Sequence, residues 1–243
     1  MTPSVRSPGE LPLSRERLAR FVVVVVGIGL WQGSQAILGA REFPVDEATR
    51  EAAARALTRG DRVLEWTSGC HAWLAAHRQA SSALLVLSSL LIDLVACWLF
   101  VVTVAGRTIR PFLGLLLLFS LRQISQWLVS LPAPEGMLWY DPGVPTLLVT
   151  YEVANDFFFS GHTALAVYGS IELGRQLGRV GAVAGLGLAA FEVLIVLVLR
   201  VHYTMDVFTA VAVAVLAAAA AGRLADPFDA AVARLVGRPT AHG

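Results

Sequence analysis

Two short constellations in this chain of 243 residues have types and spacing suited to nucleophilic and acid–base chemistry. The first is Asp156-Phe157-Phe158-Phe159-Ser160-Gly161-His162-Thr163, which leads into an apolar run. A Ser-Gly pair opening a helix offers backbone N–H groups and the positive end of the helix dipole. That makes a ready anion site, and phosphate suits it. His162, in the first turn, faces whatever the site holds. The second is His202-Tyr203-Thr204-Met205-Asp206, where His and Asp at i and i+4 share one helix face. A carboxylate there takes one ring N–H, fixing the tautomer so that the other nitrogen is a nucleophile or base. Arg122, about halfway along another apolar run, adds a guanidinium suited to bidentate phosphate binding or to neutralising Asp206 or Asp93. Each feature also has a plainer reading. A lone boundary histidine is commonly just interfacial, and a His-x-x-x-Asp pair also arises by chance.

The elements that must position these residues are membrane helices. Hydrophobic residues make up 56% of the chain and charged ones only 15%, too apolar a balance to cover a water-facing surface. The expected fold is all-α, a polytopic six-helix transmembrane bundle with a small extracytoplasmic cap. Six apolar stretches approach the length a span needs, at 21–40, 83–106, 112–131, 163–178, 180–199 and 203–222. The expected organisation is a cytoplasmic leader 1–20, a first transmembrane helix 21–40 and an extracytoplasmic amphipathic segment 41–82. A five-helix catalytic membrane core 83–222 and a cytoplasmic tail 223–243 follow. The arginine-rich start and first apolar run also fit a signal peptide, although 20 residues exceeds the usual core of about 7–15.

All 19 basic residues are Arg, against 18 acidic ones, so no nucleic-acid footprint is present and every lysine-dependent motif is excluded. Arginines gather in the leader, after the second and fourth spans and in the tail, which predicts cytoplasmic termini and extracytoplasmic histidines. The expected location is a bacterial inner (cell) membrane. Asp93, Glu172 and Glu192 also fall inside spans, either as functional groups or as internal pairs that hold the bundle. Cys70 and Cys97 are expected to be unpaired. A metal site is not expected, since only two imidazoles fall at the level of the site.

With these residues the chain resembles the sphingomyelin synthase-related branch of the type 2 phosphatidic acid phosphatase superfamily. The resemblance rests on Asp156–Thr163 and His202–Val207, and on Arg122-Gln123-Ile124-Ser125 leading to Leu131–Pro134. Ala154-Asn155 stand where the branch has Cys-Gly, and Thr103 where the wider superfamily has a lysine. The resemblance implies a six-helix membrane fold, a catalytic triad at His162, His202 and Asp206, and metal-free phosphoryl or phosphodiester transfer on a lipid. The substrate-binding set is then Arg122, Asp156, Ser160 and Gly161. In that scheme His202 attacks phosphorus and forms a phosphohistidine-type intermediate, and Asp206 holds its tautomer. His162 protonates the leaving oxygen and then activates the acceptor. The expected activity is that of a lipid phosphatase or headgroup transferase. It needs no cofactor and acts on a membrane phospholipid, with water or a diacylglycerol- or ceramide-like hydroxyl as acceptor. The competing readings are a membrane transporter and a structural membrane subunit, for which the polar pairs line a path or set packing.

Overall fold

The computed structural model describes residues 15–41, 45–149, 151 and 157–235. Asp156, most of the expected leader and the end of the tail lie outside the described residues. The elements are α1 (Arg15–Gly39), α2 (Glu47–Gly60), α3 (Arg62–Trp66), α4 (Ser68–Ala76), α5 (Arg78–Ala105), α6 (Arg110–Leu128), α7 (Gly161–Val198) and α8 (Thr204–Leu235). The described residues are helical or loop and contain no strand. Among the described residues four helices are long and apolar enough to cross a bilayer: α1, α5, α7 and the Thr204–Arg234 part of α8. Large apolar side chains stay exposed along them, among them Leu30, Ile37, Leu94, Val101, Val183, Leu186, Phe208 and Leu216. Such faces suit hydrocarbon rather than water, and the chain is a membrane protein.

The expected third span is α6, which starts two residues earlier and stops at Leu128. Pro111 at its start fits the first turn, where no N–H is required. Arg122, Gln123 and Gln126 dilute its apolarity, so it stands outside the group of four. The expected fourth and fifth spans are the two arms of α7. Gly178 interrupts this helix with φ 62° and ψ −140°, a conformation that glycine adopts without a Cβ clash. Beyond it the chain doubles back. Ser170 Oγ donates to the Gly185 carbonyl at 2.5 Å, and a Cβ on Gly185 would come within 2.7 Å of Ser170 Cα. The arms 161–177 and 179–198 therefore form a close helical hairpin seamed by small residues.

α6 and α7 pack on α8, α5 packs on α7, and α1 lies against α5 and α6. A core of Ile92, Leu99, Phe112, Leu118, Leu165, Tyr168 and Ala214 fills the space between them. The charges expected inside spans have partners. Glu172, fully buried, joins Arg110 at 2.9 Å and Arg175 at 2.6 Å. Asp93 accepts from the Leu147 and Leu148 amides at 2.7 and 3.0 Å, and Glu192 accepts from Ser88 Oγ at 2.7 Å. Arg20 on α1 donates to the carbonyls of Gly106 and Arg107 in the α5–α6 turn. Cys70 and Cys97 are exposed and free.

The segment expected to form an amphipathic cap is α2 to α4. Its apolar side docks through Leu64 and Leu74 on Leu85, Ile195, Leu199 and Tyr203. His71 on this segment is buried, and its Nδ1–H donates to the Val198 carbonyl at 2.9 Å. Burial, aided by the Arg200 charge, pushes its pKa below the usual histidine range.

The α7 hairpin yields a direct test. Gly185→Leu drives side-chain atoms into Ser170, and overpacking of this kind costs about 1–3 kcal/mol. A Cβ on Gly187 would meet nothing within 4 Å, so Gly187→Leu serves as the control. Thermal unfolding in detergent should fall for the first variant and stay unchanged or rise for the second. Equal effects from both would contradict the close seam.

Candidate active site

His202 is placed by the way α7 ends. The Arg200 amide donates to Leu197 O at 3.1 Å and the Val201 amide to Val196 O at 2.8 Å. This pairing terminates a helix around one left-handed residue, usually glycine. Here the residue is Arg200, at φ 55°. A non-glycine residue in this conformation costs about 1–2 kcal/mol, which the surroundings must offset. The Arg200 guanidinium does so in part by donating to Glu135 O at 3.1 Å. Two residues on, His202 is buried.

The start of α8 is fixed from two sides. Asp206 Oδ2 accepts from the Tyr203 amide at 2.9 Å. Asp61, which caps α3 through the Val63 and Leu64 amides, also accepts from the Thr204 amide at 2.7 Å and the Thr204 hydroxyl at 2.6 Å. One carboxylate thus caps two helices and locks the cap to the turn that carries His202. Exposed donors at a helix start need such partners.

His202 Nδ1 lies 2.9 Å from the Phe157 carbonyl and 3.6 Å from Asp206 Oδ2. A carbonyl only accepts, so Nδ1 carries the proton and Nε2 keeps its lone pair. The pairing of His202 with Asp206 read from the sequence is thus present at longer range, and a backbone oxygen makes the closer contact.

His162 sits in the first turn of α7. Ser160 caps this helix, accepting from the Thr163 amide at 3.3 Å and donating to the Thr163 hydroxyl at 3.0 Å. The His162 ring meets Trp139 edge to face, with centroids 5.3 Å apart, and its Nε2 is buried with no hydrogen-bond partner. Arg122, buried on α6, donates from Nε to the Phe159 carbonyl at 2.9 Å. Its guanidinium lies close against Gly161, where a Cβ would come within 3.2 Å of Nε. Glycine at this position permits that approach.

A cavity of about 70 Å³ brings these groups together. Arg122, Gly161, His162 and His202 line it, with Trp31, Gln35, Trp139 and Phe157. Ser160 and Asp206 stand directly behind the wall as supports, buried and hydrogen-bonded. A ring nitrogen with a free lone pair, a second imidazole with an unsatisfied nitrogen and a guanidinium thus share one cavity. That combination can bind a phosphate, attack it and move a proton. Among the described residues no three His, Cys, Asp or Glu side chains gather closely enough to hold a metal ion.

Sequence reasoning missed several contributors. Asp61 carries the signal of a helix cap after Gly60, but its reach to Thr204 across 143 residues has no local mark. The Phe157 carbonyl has no side-chain signature at all. Trp31 and Trp139 have no local motif that marks them as part of the site.

The fold and site define a helical membrane protein with a buried His/His/Arg pocket at the end of the bundle that the cap covers. The family model AtPDCT1/2 matches residues 61–223, well over half the chain. The chain therefore belongs to this phosphatidylcholine:diacylglycerol cholinephosphotransferase family. The match begins at Asp61 and covers α3 to most of α8. No curated protein and no solved structure matches the chain.

The distances predict a graded effect. Because Phe157 O holds the His202 proton at 2.9 Å, Asp206→Asn should slow turnover by roughly 10–100-fold. In a serine-protease triad, where the carboxylate is the closest partner, the same change costs roughly 10⁴-fold. Steady-state kinetics on the purified variant decides it. A loss of 10⁴ or more would make Asp206 the group that sets the tautomer.

Proposed function

We propose that this chain transfers a phosphodiester headgroup from a phospholipid such as phosphatidylcholine to the hydroxyl of diacylglycerol, through a covalent intermediate on His202. Family membership supports the substrate class. The observation that carries the mechanism is the protonated Nδ1 of His202 on the Phe157 carbonyl, which leaves Nε2 able to attack.

In the first half, Nε2 bonds to phosphorus and the bond from phosphorus to the glycerol oxygen breaks. His162, carrying a proton on Nε2, gives it to the departing oxygen, so diacylglycerol leaves neutral. In the second half, His162 takes the proton of the incoming hydroxyl, whose oxygen attacks phosphorus and releases His202. Arg122 and the start of α7 stabilise the added negative charge on the phosphoryl oxygens. The positive charge on the His202 ring is balanced by Asp206 at 3.6 Å and by the Phe157 carbonyl. Every group in the scheme belongs to the chain, and the reaction consists of positioning, charge and two proton transfers.

The same reading takes the two arms of α7, together with α1, α5, α6 and α8, as six crossings. It places the histidines on the extracytoplasmic side of a bacterial inner membrane, with both termini cytoplasmic, as the arginine distribution suggests. The motif likeness to the sphingomyelin synthase-related branch supports this arrangement, and Asp156 joins Arg122, Ser160 and Gly161 as the substrate-binding set.

The test is transfer in a reconstituted bilayer. Purified protein with headgroup-labelled phosphatidylcholine and a diacylglycerol of distinct mass should move label into the new phosphatidylcholine, and His202→Ala should abolish it. Label released as free phosphocholine would identify water as the acceptor. Turnover near the unmodified rate in His202→Ala would overturn the proposal.

A further inference from the structure

A second cavity, of about 260 Å³, lies between α1, α5 and α6, directly beside the catalytic one. Its walls are apolar, built from side chains such as Ile28, Phe100, Phe112 and Leu116. Trp31, Phe119 and Leu148 line both cavities, so the two spaces meet at these three residues. Leu148 is held there by its amide bond to Asp93, and the rings of Trp31 and Phe119 stand 5.6 Å apart at 55°.

The polar groups at the junction are satisfied with one exception. Ser34 Oγ donates to the Trp31 carbonyl at 2.8 Å and Gln123 Nε2 to the same oxygen at 3.4 Å. The indole Nε1 of Trp31 is buried and makes no hydrogen bond. An indole N–H can only donate, and a buried donor without an acceptor is costly. At this place, between a phosphate-sized polar pocket and an apolar groove, a ligand must supply the acceptor.

A glycerolipid has the matching chemistry. Its headgroup phosphate and its acyl chain are separated by an ester, whose carbonyl accepts a hydrogen bond. Resting on the transferase reading above, we propose that the α1–α6 groove takes an acyl chain of the glycerolipid and that the Trp31 N–H donates to its ester carbonyl. Trp31 is then a binding residue that sets how deep the phosphate sits beside His202. α1 lies outside the matched region 61–223, so this part of the site is built by a helix the family model does not describe.

The experiment uses the purified full chain in liposomes with a phosphatidylcholine carrying a photoactivatable diazirine near the carboxyl end of one chain. Peptides of both α1 and α6 should carry the label, and Leu116→Trp, which fills the groove, should reduce it several-fold. Diacylglycerol should displace the label better than its diether analogue, which lacks the carbonyl, by roughly fivefold, the worth of one neutral hydrogen bond. Trp31→Phe keeps a ring and removes the donor, and should make the two competitors equal. Label confined to other helices, or a preference that survives Trp31→Phe, would overturn the proposal. Because labelling requires no turnover, groove labelling without headgroup transfer would count against the transferase reading and leave the groove assignment standing.

Discussion

The hydrogen bond from His202 Nδ1 to the Phe157 carbonyl decides what the rest of the site can do, because it assigns the proton to one nitrogen and frees the other. It requires two distant stretches of chain to meet within 2.9 Å. One stretch leads into α7, where Ser160 caps the helix and Arg122 anchors the Phe159 carbonyl. The other is the α7–α8 turn, closed around Arg200 and tied to α2–α4 by Asp61 and His71. Both stretches belong to the ends of one folded-back helix, so the hairpin at Gly178 is what returns the chain to the same end of the bundle.

A membrane interior magnifies these arrangements. Backbone groups that lack a partner in hydrocarbon cost several kcal/mol each, so loops at that depth survive only when something inside the protein satisfies them. Asp93 does this for Leu147 and Leu148, and the Ser89 hydroxyl meets Tyr151 nearby. The loop so held supplies Trp139 and Leu148 to the walls of the site. Glu172, with Arg110 and Arg175, has a different task. It joins α6 to the first arm of α7 and is complete without any ligand. Removing one partner of such a buried pair leaves an uncompensated charge. The two kinds of acid are therefore distinguished by what they bind: backbone amides of a site loop in one case, and paired guanidinium groups in the other.

The helices were largely legible in the sequence, since apolar runs of sufficient length have few other fates. Gly178 marked the boundary between the fourth and fifth stretches, and its positive φ is the physical cause of that boundary. His162, His202 and Arg122, each singled out in the sequence, line one cavity. The closest partner of His202 was not legible, because a backbone carbonyl has no residue type. Nor was the double capping by Asp61, which links positions 61 and 204 through tertiary contact alone. The burial of His71 was hidden for a related reason. Its segment is polar enough to read as solvated, yet its apolar side closes over α7 and buries the ring. Trp31 carried no signal either, since one tryptophan within an apolar run does not reveal which neighbours its N–H will meet.

Covalent attachment of the headgroup phosphate to His202 is the step on which the proposed chemistry turns. With His162→Ala and a substrate whose leaving group needs no proton, the first half-reaction should outrun the second, and the intermediate should accumulate. Mass spectrometry of protein quenched within one turnover should then find the headgroup phosphate on the peptide that contains His202. If turnover continues while that peptide stays unmodified at every quench time, the covalent mechanism is contradicted.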